Sequence, residues 1–281
     1  MYSVFITNHK NETIELTHSP YFQYVEVDLL NLKATINSDT LALSDGSLFN
    51  SAKVTDKQVP IMIQPAFPVE ENRLRIYKYF SIKKEITLRY TNGNRDVKLV
   101  GYVDSIDGSL YDQTQTIIVN MNCLKPYFQD INESVVNMSQ IVDVFEFPFS
   151  TEEEGVEMSR VDKTLTTLII NNGDIDVGMI IELKANGTVV NPSIYNANTR
   201  ESFNLKLTMN TGDLIRINTD LMNRRIQLIR DGVVTNIINY VNRNSDWFYL
   251  ATGDNVFAYA SEEGAENLSL SFRYTNLYEG V

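Results

Sequence analysis

Apolar and polar side chains alternate with a period of two along much of the 281-residue chain, which is typical of strands with one buried face. Residues 86–90 follow this pattern, Asn92-Gly93 supplies a tight turn, and residues 97–103 carry the returning strand. The alternation recurs at residues 203–209 and 268–274, and further Asn-Gly or Asp-Gly turns lie at residues 172–173, 186–187 and 231–232. The pattern predicts a mainly β protein.

One stretch has a helical period instead. From Glu70 to Phe80, the apolar side chains of Leu74, Tyr77 and Phe80 recur at helical spacing. Glu70 and its neighbour Glu71 stand at the start, where the helix dipole favours negative charge. We therefore expect one short helix over residues 70–80.

The length of the chain favours two domains over one. Pro126 follows a predicted strand, and the polar stretch 129–133 comes after it, which marks a boundary. We predict an N-terminal β-sandwich over residues 1–130, with the short helix and a β-hairpin, and a second β domain over residues 131–281. Residues 145–157, which include three consecutive glutamates at 152–154, are interpreted as a solvated loop.

Charge differs between the two halves. The whole chain has 24 basic and 36 acidic side chains, a net of −12. Residues 1–130 hold 13 basic and 15 acidic side chains, a net of −2, and residues 131–281 hold 11 and 21, a net of −10. No basic surface for nucleic acid is indicated. The first residues do not form a signal peptide and no apolar run is long enough to span a membrane, so we expect a cytoplasmic protein with no membrane partner.

Residues suited to catalysis are few. Cys123 is the single cysteine and has apolar neighbours, so it is interpreted as a buried packing residue rather than a nucleophile. His9 and His18 are the two histidines, too few for a metal cluster with Cys123. Phosphate-binding glycine loops and the GxSxG nucleophile motif are absent from the sequence. We predict no catalytic, cofactor-binding or metal-binding residues and no enzymatic activity.

Two alternatives to a structural role stay open. A carbohydrate-binding module would need Trp247, Tyr249 and Tyr259 exposed on one concave face. A glycoside hydrolase would need two carboxylates that converge across a cleft. The apolar residues around Trp247, the single Trp, favour a place in the core or a domain contact instead.

The C-terminal half resembles the distal tail proteins of long-tailed phages and related prophage tails. The resemblance rests on strand and turn segments, which are residues 172–174, 180–183, 212–219, 247–250, 253–255 and 272–274. The first half resembles the same family through the helix at 74–80, the hairpin at 86–103 and the segment 123–128. The large sugar-binding insertion of some relatives has no room here, so the chain is similar to the short form.

The resemblance implies a structural virion protein, assembled in the host cytoplasm and located in the tail. In this family the C-terminal domain is a galectin-like jelly roll, and the N-terminal domains form a hexameric ring around a channel for DNA. The ring would contact the tail tube protein above and the tail hub protein below, with a receptor-binding protein as a further partner. Six copies of residues 1–130 would gather a charge of −12, against −60 for six copies of residues 131–281. We therefore expect the first half to form the ring and the second half to be monomeric by itself.

Overall fold

A computed structural model describes residues 2–41, 45–112, 114–138 and 166–281, and the backbone alone at 141–142 and 160–161. The chain divides into two compact units, Met1–Ile131 with Leu277–Val281, and Asn132–Asn276. This division lies one residue beyond the boundary predicted at residue 130. The predicted second domain, residues 131–281, included the last five residues, but these belong to the first unit because they pair with it. The loop predicted at residues 145–157 lies outside the described residues.

Strands make up most of the regular secondary structure in the described residues. The first unit contains β1 (Ser3–Thr7), β2 (Thr13–Glu15), β3 (Phe22–Val27), β4 (Ala34–Thr40), β5 (Ser47–Val54), β6 (Lys57–Pro65), α1 (Val69–Tyr79), β7 (Glu85–Thr91), β8 (Asp96–Gly108), β9 (Ile117–Cys123) and β10 (Phe128–Asp130). The second unit contains β11 (Ser134–Met138), β12 (Ile141–Val142), β13 (Arg160–Val161), β14 (Thr166–Asn171), β15 (Ile180–Ala185), β16 (Val189–Val190), β17 (Ser193–Asn196), β18 (Ser202–Asn204), β19 (Thr208–Met209), β20 (Leu214–Asn218), β21 (Arg225–Arg230), β22 (Val233–Asn236), β23 (Gly253–Ala260) and β24 (Leu268–Tyr274). Two 3₁₀ turns lie at Ile238–Tyr240 and Ala265–Asn267, and β25 (Leu277–Tyr278) ends the chain.

Nine strands of the first unit form one continuous antiparallel sheet in the order β2-β1-β7-β8-β9-β6-β3, with β10 paired to β8 and β25. Buried residues near both ends of this order, such as Ile14 of β2 and Phe22 of β3, belong to the same core cluster. The sheet therefore curls around a single core instead of lying flat. The predicted hairpin is present as β7 and β8. Its side chains Ile86, Leu88 and Leu99 are buried in the core.

The helix lies where the sequence predicts it, but its buried face is different. Ile76 and Asn72 are buried, and the Asn72 side chain donates a hydrogen bond to the Ala66 carbonyl oxygen at 3.0 Å. Leu74 and Tyr77, which the helical period had indicated as part of the apolar face, are exposed. The buried amide of Asn72 takes a core position that the pattern of apolar residues does not mark.

The second unit has two main sheets. A six-stranded sheet has the order β11-β24-β15-β20-β21-β22, and a four-stranded sheet has the order β14-β23-β17-β18. Phe257 of β23 and Phe272 of β24 join the two sheets through ring centroids 5.1 Å apart. Residues 203–209, predicted as one strand, are divided between β18 and β19, because the chain leaves the four-stranded sheet after Asn204 and pairs next with β16.

Candidate assembly surface

A two-stranded ribbon is the most exposed regular element of the first unit. It consists of β4 and β5, is called the arm here, and pairs with no other strand in the described part of the chain. It continues the β3–β6 hairpin, since Asp28 N donates to Pro60 O at 3.2 Å and Thr55 N donates to Lys33 O at 3.0 Å. Seven strand residues extend about 23 Å at the usual rise per residue. All side chains of β4, and those of β5 except Val54, are exposed.

The arm has one apolar face. Ile36 lies opposite Ala52, and Ser38 lies opposite Phe49 across a bulge. Since residues 36 and 38 are two positions apart, they and their partners share one face of the ribbon. Ile36 is 66% exposed and Phe49 is 67% exposed. This face therefore presents a continuous apolar strip to its surroundings.

The opposite face is mainly polar, with Leu48 as its one large apolar side chain. It carries Asn37, whose side chain donates to the Ser51 hydroxyl at 3.0 Å, and the pair of Asp39 and Leu48. An isolated two-stranded ribbon is only marginally stable in water. A ribbon with one apolar and one polar face is therefore suited to lie against another protein surface.

The edge strand β3 adds a second contact surface in the first unit. Its one partner in the described residues is β6. The hydrogen bond from Asp28 to Pro60 fixes the register, so the backbone groups of Val25 and Val27 point away from β6. A cavity of about 600 Å³ lies beside this edge, and Tyr2 and Tyr24 are among its lining residues. The edge can accept a further strand by backbone hydrogen bonding.

The residues considered for chemistry are separate from one another. Cys123 is buried at the end of β9, and burial raises the pKa of its thiol to about 11. His18 Nε2 lies 3.1 Å from the Tyr2 carbonyl oxygen, and His9 is exposed in the turn before β2. A thiol with so high a pKa is almost entirely protonated at neutral pH, which makes it a poor nucleophile.

The aromatic residues of the second unit surround an arginine. The Arg224 guanidinium lies 5.4 Å from the Trp247 ring centroid and 5.7 Å from that of Tyr249, and it donates to the Tyr249 hydroxyl at 2.8 Å. The Trp247 ring also meets Phe203 edge-on at 5.4 Å. Tyr259 lies opposite Ile194 in the four-stranded sheet. The guanidinium occupies space over the rings that a stacked sugar would need.

Two carboxylates of the second unit, the partly buried Glu182 and the buried Asp213, are paired with arginines. Glu182 binds Arg216 at 2.7 Å and also Arg273, and Asp213 binds Arg230 at 2.5 Å. The Arg230 guanidinium lowers the pKa of Asp213 through its hydrogen bond to that carboxylate. Such pairs hold neighbouring strands together. Within the ranges that the structure describes, no group of three metal-ligating side chains is found. No helix among those residues is long and apolar enough to cross a membrane.

Part of the chain matches a known family. Residues 172–278 match the model of the siphovirus-type tail component, C-terminal domain. These residues lie almost wholly in the second unit. Among curated proteins, none matches this sequence.

Comparison with solved structures extends the likeness to the whole chain. The Dit protein of SPP1, described as a paradigm of the hub adsorption apparatus in phages that infect Gram-positive bacteria, has a TM-score of 0.65 at 11% identity, over 98% of this chain and 99% of its own. A chain of the phage P2 baseplate in its activated conformation with Ca has a TM-score of 0.52 at 14% identity, over the full length of both. The family match and the shared fold confirm the resemblance to distal tail proteins.

Proposed function

We propose that this chain, whose residues 172–278 match the model of the siphovirus-type tail component, is a structural protein of a phage tail and forms the distal tail ring at the baseplate hub. The observation that carries the proposal is the family match of residues 172–278, in a chain that shares its fold with SPP1 Dit from end to end. The arginine-paired carboxylates of the second unit, Glu182 and Asp213, agree with a structural role rather than a catalytic one.

The ring is formed by copies of the first unit. A ring needs a heterologous interface, in which one surface of a subunit meets a different surface of the next. The first unit offers two such surfaces, the arm and the open edge of β3. Its low charge, −2 for residues 1–130, permits close approach of six copies, whereas the −10 of residues 131–281 opposes it.

The partners follow from this position in the tail. The ring contacts the tail tube protein on one side and the tail hub protein on the other, and DNA passes through its channel without sequence-specific contacts. Assembly takes place in the host cytoplasm. The second unit is proposed to be a galectin-like jelly roll. It is further proposed to lack strong sugar affinity, because Arg224 lies over the rings of Trp247 and Tyr249.

Electron microscopy of virions tests the proposed place directly. Antibody raised against the purified chain should label the distal end of the tail, at the junction of tube and tip. Label on the capsid, along the whole tube or nowhere on the particle would overturn the proposal.

The arm provides the test of the ring interface. Replacing Ile36 and Phe49 together by Ser removes the apolar strip. We expect the dissociation constant of the oligomer, measured by sedimentation velocity, to rise at least tenfold. Leu48→Ser on the opposite face is the matched control, because Leu48 is 54% exposed but does not belong to the strip. Equal dissociation in the double variant and the control would show that the strip is not the interface.

A further inference from the structure

Asparagine followed by glycine is the dipeptide most prone to spontaneous deamidation, and the chain contains it three times, at residues 92–93, 172–173 and 186–187. Glycine has no Cβ to shield its backbone nitrogen, so this nitrogen can approach the side-chain amide of the preceding asparagine. Each of the three pairs follows a strand, but the structure restrains them differently. These restraints decide which pair can react in the folded chain.

The first pair is restrained at the side-chain amide. The Asn92 Oδ1 atom accepts hydrogen bonds from Asn94 N at 3.0 Å and Arg95 N at 2.9 Å. The Nδ2 atom of the same side chain donates to the Tyr90 hydroxyl at 3.3 Å. The amide carbon can reach Gly93 N only after these bonds break, which disfavours reaction at Asn92.

The second pair is restrained at the attacking nitrogen. Gly173 N donates to the Asn171 Oδ1 atom at 2.9 Å. Asn171 is itself 2% exposed, and its Nδ2 atom donates to the carbonyl oxygens of Ile175 and Leu250. Because a backbone nitrogen must lose its proton before it attacks, a fixed acceptor for that proton disfavours reaction at Asn172.

The third pair has neither restraint. Asn186 is exposed in the turn between β15 and β16, and its side chain makes no hydrogen bond within the ranges that the structure describes. Gly187 N likewise has no hydrogen-bond acceptor among those residues. A larger residue does not fit at this glycine, because a Cβ there would lie 2.7 Å from the Asn267 Cγ atom. Packing therefore requires the glycine that makes the pair reactive.

We propose that Asn186 is a site of spontaneous modification, at which the folded chain forms a succinimide and then isoaspartate. Hydroxide removes the Gly187 N–H proton, and the nitrogen attacks the Asn186 Cγ atom. A C–N bond forms, the bond from Cγ to Nδ2 breaks, and ammonia leaves with a proton from water. Water then opens the ring at either carbonyl and yields isoaspartate or aspartate. The net reaction consumes one water and releases one ammonia, and it does not depend on the proposed tail function.

Isoaspartate would change the backbone of this turn. It adds one carbon to the main chain next to the hydrogen bond from Asn186 N to Asn267 O, which is 2.8 Å long. It also places a carboxylate where the neutral amide of Asn186 now lies. We therefore expect the modification to alter the turn between β15 and β16.

Peptide mapping by mass spectrometry tests the site. The full-length chain is incubated at about pH 8, folded or in guanidinium chloride, and digested under mildly acidic conditions that suppress further reaction. Fragmentation then gives the rate of amide-to-acid conversion at each pair. We expect Asn186 to convert at least fivefold faster than Asn92 and Asn172 in the folded chain, and all three to convert at similar rates in guanidinium chloride.

Asn186→Gln is the matched variant, because glutamine keeps the amide but must close a six-membered ring, which forms far more slowly. Isoaspartyl methyltransferase with labelled S-adenosylmethionine should label the incubated wild type and leave the folded variant at least fivefold less labelled. Conversion at Asn92 or Asn172 as fast as at Asn186 in the folded chain would overturn the proposal. The same fivefold preference in guanidinium chloride would also overturn it, since local sequence and not the fold would then select the site.

Discussion

The first unit contains a buried lysine, which we expect to lower its stability. Lys57 is 2% exposed, and its Nζ has no hydrogen-bond partner among the described residues. The ammonium lies 4.1 Å from the Phe128 ring centroid. Burial lowers the pKa of Lys57, and the charge of Asp28 acts in the opposite direction. The charged form therefore loses its hydration, and the contact with the Phe128 ring and the charge of Asp28 offset only part of that loss.

Lys57→Met should stabilise the first unit. A buried donor left without a hydrogen-bond partner costs about 1–3 kcal/mol, which an apolar side chain of similar volume avoids, and the lost ring contact costs about 0.5–2 kcal/mol. A methionine sulfur against the ring recovers part of that cost. The expected net gain is about 1–2 kcal/mol, or roughly 3–8 °C in Tm for a unit of this size.

The effect has a defined pH dependence. The unfolded chain holds the ammonium with a pKa of about 10.4, and the folded chain holds it with a lower pKa. The unfolded state therefore binds more protons between these two values, and the stability of the wild type rises with pH through that window. The advantage of Lys57→Met should be largest near pH 7 and shrink towards pH 10.

Urea unfolding, monitored by far-UV circular dichroism at pH 7 and at pH 10, measures the difference in free energy of unfolding between Lys57→Met and the wild type. Trp247 is the single Trp and lies in the second unit, so its fluorescence follows that unit separately. Lys53→Met, at an exposed lysine of the arm, is the control and should change stability by less than about 0.5 kcal/mol. A Lys57→Met variant less stable than the wild type, or a gain equal at both pH values, would refute the reasoning.

Three other groups have measurable consequences. The Cys123 thiol, with a pKa of about 11, should react with Ellman's reagent at pH 8 only after unfolding; rapid reaction of the folded chain would contradict its burial. Asp213→Asn breaks the ion pair with Arg230 and should cost about 2–3 kcal/mol at pH 7 in urea unfolding. Because the pKa of Asp213 is lowered in the fold, the wild type should lose this advantage as pH falls below about 4. Trp247→Ala should leave binding of cell-wall fragments unchanged in calorimetry, whereas micromolar binding lost in the variant would show a sugar site.

The strands with regular alternation could be predicted from sequence, because burial of one face imposes period two. The β7–β8 hairpin and β24 are examples. The buried face of α1 could not, because a hydrogen-bonded Asn72 replaces an apolar residue there. The break between β18 and β19 could not be predicted either, because the apolar alternation continues through it while the hydrogen-bonding partner changes.

The arm was missed, although its sequence contained a signal. Asp45-Gly46 precedes β5, and Gly46 adopts a positive φ of 90°, which only glycine adopts easily. The strands on either side lack the alternation of a half-buried sheet because neither face is buried within the unit. A pattern of burial cannot reveal an element whose two faces are both exposed.

The mass of the full-length chain in solution tests the ring most directly. Multi-angle light scattering at micromolar concentration should give about 193 kDa, which is six times the 32.1 kDa of one chain. A single species of 32.1 kDa across that concentration range would contradict a self-assembling ring.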